Sequence, residues 1–302
     1  MTQALIRSDN LRGAGLMIVA MAAFTFNDTT IKSLAGSLPL AQTIFLRGLI
    51  STGLMVGVAW WMGGLRLRLP RRDWGLILIR SFADLGATFL FLGALFYMPL
   101  ANLTAILQAL PLSVALGAAL FFHEPLGWRR LLAIAIGFIG VLLIVRPGAD
   151  GFNTYALWGL GAVGFVTLRD LAARRLSRET PSVMAALVGA AVITLAAGVA
   201  TLVDGWAPVE AVSGGKLVLA GLFILAGYLA SVAVMRVGEI GFTAPFRYTG
   251  LLWALVLGWL VFDEWPDGIT LIGAGIVVAT GIFTLYREEL AARRMRRASV
   301  AR

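Results

Sequence analysis

Ten apolar blocks of about 20 residues, separated by short polar breaks, decide what this 302-residue chain can fold into. A helix rises 1.5 Å per residue, so about 20 apolar residues cross a hydrocarbon core of about 30 Å. Backbone amides have no water to bond in lipid, and helices satisfy them internally. The blocks lie near 12–35, 40–62, 73–96, 99–121, 126–145, 154–173, 182–203, 216–235, 242–262 and 268–286. Only 14% of residues are charged and mean hydropathy is +0.88. Soluble domains carry about 25% charged residues. The expected fold is an all-α integral membrane bundle. The first block runs about 24 residues and carries charge near its far end, so it reads as a retained helix and not a signal peptide.

Direction follows from the basic residues. With the amino terminus inside, the inner segments hold Arg7, Arg12, Arg66, Arg68, Arg71, Arg72, Arg129, Arg130, Arg174, Arg175, Arg178, Arg236, Arg287, Arg293, Arg294, Arg296, Arg297 and Arg302, 18 in all. The outer loops hold Arg146 and Lys216. Both termini are expected in the cytoplasm, with 1–11 as an amino-terminal tail and 288–302 as a basic tail. The net charge of +9 then belongs to the membrane surface, and no nucleic-acid partner is expected.

The chain also looks duplicated. TFNDTTIKSLAGSLP (25–39) aligns with TLRDLAARRLSRETP (167–181) at an offset of 142, matching Asp28 with Asp170, Lys32 with Arg174 and Pro39 with Pro181. ALFFHEP (119–125) aligns with WLVFDEW (259–265) at an offset of 140, matching Phe122 with Phe262 and Glu124 with Glu264. Units of five helices, 12–147 and 148–287, enter the membrane from opposite sides because five is odd. Inverted repeats of this kind build alternating-access carriers, with the site between the halves near the midplane.

Charges inside a bilayer cost at least about 2.5–3.5 kcal/mol and normally face a partner or a watery cavity. Asp28 and Arg47 fall at similar depth, with Lys32 one turn beyond Asp28. They read either as a structural ion pair with a snorkelling lysine or as the lining of an outer vestibule. Arg80 and Asp84, spaced i,i+4, share one helix face, and Asp84 approaches the midplane. Gln108 precedes Pro111, whose missing amide frees a carbonyl. At the equivalent place in the second unit stand Arg247 and Tyr248, followed by Trp253. Asp28, Arg47, Asp84, Gln108, Arg247, Tyr248 and Trp253 are therefore the candidate substrate residues. Lys32, Arg80, Asp170 and Arg174 are the candidate gate or ion-pair residues. Six membrane charges (Lys32, Arg47, Arg80, Arg247, Asp28 and Asp84) sum to about +2, which favours an anionic or zwitterionic substrate. Glu124 and Glu264 read as caps of the helices that follow them. His123 lies in a loop and is not expected to relay protons.

KSLAGSLPLAQTIFLRG, FLFLGALFYMPLANLTAILQALPLSVALGAALFFHEPLGWRRLLAIAIGFIGVLLIVRPG and APFRYTGLLWALVLGWLVFDEWPDGITLIGAGIVVATGIFTLYRE resemble the EamA family of the drug/metabolite transporter superfamily. The family-like positions are Lys32, Arg47, Pro99, Pro111, Glu124, Pro125 and Glu264, while Trp265 departs from the pattern where Pro125 has its match. The resemblance implies a ten-helix inner-membrane carrier of a small metabolite. An uptake permease of riboflavin or S-adenosylmethionine type is the alternative within the family. A channel or accessory membrane subunit is the more distant one, and the carrier is expected as monomer or homodimer. A proton is the coupling ion considered. No cofactor or metal is expected, since the chain has no cysteine and one histidine. Those same counts argue against an intramembrane enzyme, and the absence of a GxxxxGK[ST] loop argues against direct ATP drive.

Overall fold

A computed structural model describes residues 3–61, 69–124, 126–147, 153–177, 179–237 and 239–300. Pro125, Arg66, Arg68, Arg178 and Arg302, named above, lie outside them. Twelve α-helices and one 3₁₀ turn follow one another: α1 (Gln3–Lys32), α2 (Leu40–Trp61), α3 (Arg71–Tyr97), α4 (Leu100–Leu107), α5 (Leu110–Phe122), α6 (Trp128–Val145), α7 (Tyr155–Arg174), α8 (Ser182–Asp204), α9 (Ala211–Val237), α10 (Ile240–Thr243), the 3₁₀ turn Ala244–Tyr248, α11 (Thr249–Phe262) and α12 (Gly268–Val300). Ten stretches among them are long and apolar enough to cross a membrane, one for each expected block. The outermost helices extend further than hydropathy suggests. Helix α1 begins at Gln3 and α12 runs to Val300, so both supposed tails are largely helical.

Proline sets several helix starts. Pro39, Pro70, Pro99 and Pro181 each directly precede a helix. A proline there loses no helical hydrogen bond, because the first amides of a helix are unpartnered anyway. Left-handed residues close three helices: His123 (φ 56°) after α5, Arg146 (φ 48°) after α6 and Asp263 (φ 55°) after α11. Asp267 caps α12 by accepting from the Thr270 amide at 2.8 Å, and that amide holds its carboxyl below the usual carboxylate range, aided by the nearby Arg146 guanidinium.

Two spans are interrupted. The fourth was expected as one helix over 99–121, yet it breaks at Gln108 and Ala109, just before Pro111. The ninth is irregular at the equivalent place, where the 3₁₀ turn Ala244–Tyr248 follows α10. Proline explains both, since Pro111 and Pro245 each remove a ladder donor.

The outside of the bundle is apolar. Trp61 is 83% exposed and Val203 88%, as a surface solvated by lipid should be. Inside, α1 packs on α9, α2 on α8, α3 on α7 and α6 on α12. Secondary contacts join α3 to α8, α2 to α9, α1 to α11, and α4 and α5 to α7. The main core gathers at one end of the bundle. There Ile31 of α1 and Leu34 of the turn after it meet Ile44 of α2, Leu95 of α3, Leu100 and Leu103 of α4, Ile144 of α6 and Leu217 of α9.

Small residues permit a close crossing of α6 and α12. A Cβ on Gly140 of α6 would lie 2.8 Å from the carbonyl oxygen of Gly273 on α12, and one on Gly273 2.6 Å from that of Gly140. Backbone cannot swing aside as a side chain can, so the helices must separate. Gly273→Leu should lower stability by about 1–3 kcal/mol or more. Thermal unfolding of the purified protein beside Gly275→Leu, a site with open space, measures the difference.

Candidate functional site

Between the helices lies a cavity of about 440 Å³. Its wall comes from α1, α2, α3, α4, α5, α7, α8 and α9, so both halves of the sequence contribute. The charged groups on it are Asp28, Arg47, Arg80, Asp84 and Arg169, with Asn27 and Tyr228 nearby. Phe24 and Phe91 supply aromatic surface. A greasy helix such as α1 carries Asn27 and Asp28 because that face looks into the cavity and not into lipid.

Asn27 joins two charges. Its Nδ2 donates to Asp28 Oδ1 at 2.9 Å, while Arg47 Nη1 reaches its Oδ1 at 3.5 Å. Of the two readings, a direct Asp28–Arg47 ion pair gives way to an amide bridge, because Asn27 lies between them, while both charges do line a cavity. Arg47 is only 8% exposed, and its Nε has no protein partner. Buried guanidinium donors are normally satisfied, which sets this one apart from Arg80 and Arg169.

The other charges are tied together. Asp84 lies 3.9 Å from Arg80 Nη2, the i,i+4 pair read from the sequence, and 3.1 Å from Arg169 Nη1 of α7. Arg169 also meets Asp170 at 3.0 Å, and Arg80 donates to the Ala185 carbonyl at 2.7 Å. Gly189 leaves room for this: a Cβ there would be 3.2 Å from both Arg80 Nη1 and Asp84 Oδ2.

Other candidates fall elsewhere. Lys32 leaves the cavity wall, bonding both carboxylate oxygens of Glu264 at 2.6 and 2.7 Å and the Met98 carbonyl at 2.6 Å. Glu264 was expected to cap the helix after it. It accepts instead from the Leu100 amide at 3.1 Å, at the start of α4, because α1 and α4 present a cation and a free amide to the same point. Arg174 faces Glu124 at 3.8 Å. Arg247 is exposed. Tyr248 is buried with its hydroxyl against Gly281, where a Cβ would be 1.7 Å away. Trp253 packs with Phe26 at 6.2 Å, and Gln108 points toward Gly250. None of the last four lines the cavity. Sequence reasoning passed over Asn27 and Tyr228 as wall residues. Both had a signal, Asn27 as a polar residue beside Asp28 in an apolar block and Tyr228 as an isolated polar group in another.

The comparisons with known proteins fit this geometry. The model of the EamA-like transporter family matches residues 11–146. The match covers the first five of the ten spans, over which the chain is similar to that family. A riboflavin transporter of Vibrio cholerae is 29% identical over 96% of this chain and 98% of its own. An S-adenosylmethionine uptake transporter of Rickettsia conorii is 26% identical over 94% and 96%, and a pseudopaline exporter of Pseudomonas aeruginosa 27% over 93% and 98%. One solved crystal structure, 19% identical, superposes with a TM-score of 0.62 over 93% of this chain and 98% of its own, which shows the fold. This EamA-like protein is accordingly a multi-pass membrane transporter of small molecules and not an enzyme.

Proposed function

We propose that this EamA-like transporter moves a small organic metabolite bearing an anionic or zwitterionic group by alternating access, and that the cavity is its binding site. The observation that carries the reading is Arg47, a buried guanidinium on the cavity wall whose Nε lacks a protein partner. Arg80 and Arg169 are compensated by carboxylates, so Arg47 is the cation left for a substrate anion. Asp28, held by Asn27, would meet a cationic group if the substrate carries one. The remaining wall is largely apolar, as in most small-molecule sites.

Two five-helix units of opposite direction, 12–147 and 148–287, are part of this reading. Several contacts support it. Exchanging each span with the one five places along turns the α1–α9 contact into the α7–α3 contact, and leaves the α2–α8 and α6–α12 contacts unchanged. Thr52 and Thr194, 142 residues apart, touch through their hydroxyls at 3.2 Å, as equivalent residues beside a pseudo-two-fold axis would. The basic residues favour cytoplasmic termini, and the bacterial relatives favour the inner membrane. A proton is the proposed coupling ion, and monomer or homodimer the proposed assembly.

A riboflavin- or S-adenosylmethionine-type uptake permease is the second reading, favoured by two relatives and by the aromatic wall of Phe24 and Phe91. Uptake by proteoliposomes tests both. A broad metabolite panel should yield at least one compound accumulated under a proton gradient or exchanged by counterflow. No uptake of any compound by either route would sink the carrier reading, and single-channel currents would replace it with a channel.

A further inference from the structure

Two acid–base pairs of the same lineage sit at opposite ends of the bundle, one tight and one loose. Lys32 of α1 corresponds to Arg174 of α7 at the offset of 142, and Glu264 after α11 to Glu124 after α5 at the offset of 140. Lys32 pairs with Glu264, and Arg174 with Glu124. Each pair therefore joins one unit's first span to the other unit's fourth, and the exchange of units converts one pair into the other.

Their surroundings correspond as well. The glutamates follow left-handed residues, Asp263 and His123, and their amides close the same turn, onto Gly258 at 3.0 Å and Ala118 at 3.5 Å. A cation covers the matching aromatic ring in both places. Lys32 lies 4.9 Å from the Phe262 ring centroid, and Arg175 lies 4.0 Å from that of Phe122.

What differs is closure. Lys32 and Glu264 are 9% and 27% exposed and make two contacts of 2.6–2.7 Å, with the Met98 carbonyl and Leu100 amide locked in. Arg174 and Glu124 are 46% and 56% exposed and stand 3.8 Å apart. The main core, from Ile31 and Leu34 to Leu100 and Leu103, packs solidly at the end bearing the tight pair.

We propose that Lys32–Glu264 and Arg174–Glu124 are alternating latches for the two mouths of the cavity, here with the outer one shut and the inner one released. The assignment rests on the two-unit reading and the orientation given above. In the opposite state Glu264 gives up Lys32 and the Leu100 amide to water, while Arg174 closes on Glu124. The two states then differ by exchanging one dry ion pair for its symmetric counterpart. That keeps them close in energy, as a carrier needs. Among the described residues neither latch pairs with a cavity charge, so substrate recognition and closure are carried by different residues.

The chain has no cysteine, so Ala190→Cys on the cavity wall gives a single thiol whose reaction with a membrane-impermeant maleimide can be timed from each side. Glu210→Cys, in an exposed loop, reports sidedness. With both latches intact, the Ala190→Cys thiol should react from the cytoplasmic side. Glu264→Gln, and separately Lys32→Met, should raise the outside rate by about tenfold or more and lower the inside rate. Glu124→Gln should leave the outside rate unchanged or lower it. The proposal is overturned if neither outer variant raises the outside rate, or if Glu124→Gln raises it equally. Reaction from both sides in every variant also overturns it, because disrupted packing would then explain the result. Labelling needs no substrate, so a chain that switches sides yet carries nothing would overturn the transport reading alone.

Discussion

Arg47→Gln should weaken binding of a transported anion by roughly 100-fold, equivalent to about 3 kcal/mol, while leaving the empty protein as stable as before or more so. The two effects have different origins. A ligand anion on Arg47 gains charge-assisted hydrogen bonds in a site shielded from water, each worth about twice a neutral one. Without ligand, the same guanidinium is a buried cation whose Nε has no partner and whose polar contact is Asn27 at 3.5 Å. Removing a poorly compensated buried charge relieves desolvation cost instead of adding it. Thermal-shift titration with a compound from the uptake panel separates the cases, because binding to the native state raises its apparent stability. If the empty variant melts far lower and still responds to ligand as wild type does, Arg47 is a structural residue and the site must be sought at Asp28.

Asp84→Asn should behave in the opposite way, lowering the stability of the empty protein by about 3 kcal/mol. Asp84 is the acceptor shared by Arg80 and Arg169, at 3.9 and 3.1 Å. Removing one partner of a buried pair leaves the other charge uncompensated, at about 3–5 kcal/mol when burial is complete. Asp84 is about one-fifth exposed, which puts the loss at the low end. Asp170→Asn should cost less, since Asp170 is one-third exposed and Arg169 retains Asp84. Thermal unfolding of the two variants in one detergent gives the order. A larger loss for Asp170→Asn would mean that the outer edge of this ladder, and not its centre, holds α3 to α7.

Much of the fold was legible because lipid is a demanding solvent. Spans such as 40–62 and 182–203 had to be helices, since only helices and closed barrels satisfy backbone amides in hydrocarbon and these runs are about twice the length of a barrel strand. Their ends agree with α2 and α8 to within one residue. The ends missed by most were those of α1 and α12, where polar helix leaves the membrane and hydropathy carries no signal; α9 also begins five residues before its block, at Ala211. The break at Gln108 was foreshadowed by Pro111, yet the run 99–121 still read as one helix because both pieces are equally apolar.

Of the site, polarity within apolar helices gave Asp28, Arg47, Arg80 and Asp84, all of which the cavity gathers. It also gave Gln108, Arg247, Tyr248 and Trp253, which point elsewhere, because hydropathy states that a residue is polar and not which way its helix is turned. Asn27 stands in plain view within TFNDTTIKSLAGSLP, but its work as the bridge between Asp28 and Arg47 depends on the Arg47 side chain of α2 reaching it.

The sequence by itself therefore determined the number of spans, their helical character and the residues too polar for lipid. Each of these follows from local composition measured against a uniform solvent. The tertiary structure decided who meets whom. Glu264 lies 232 residues from Lys32 and Arg169 lies 85 from Asp84. Such partnerships depend on helix rotation and crossing, which close packing of small residues such as Gly140 and Gly273 fixes. A charge in a membrane must find a partner, and only the assembled bundle determines which one is within reach.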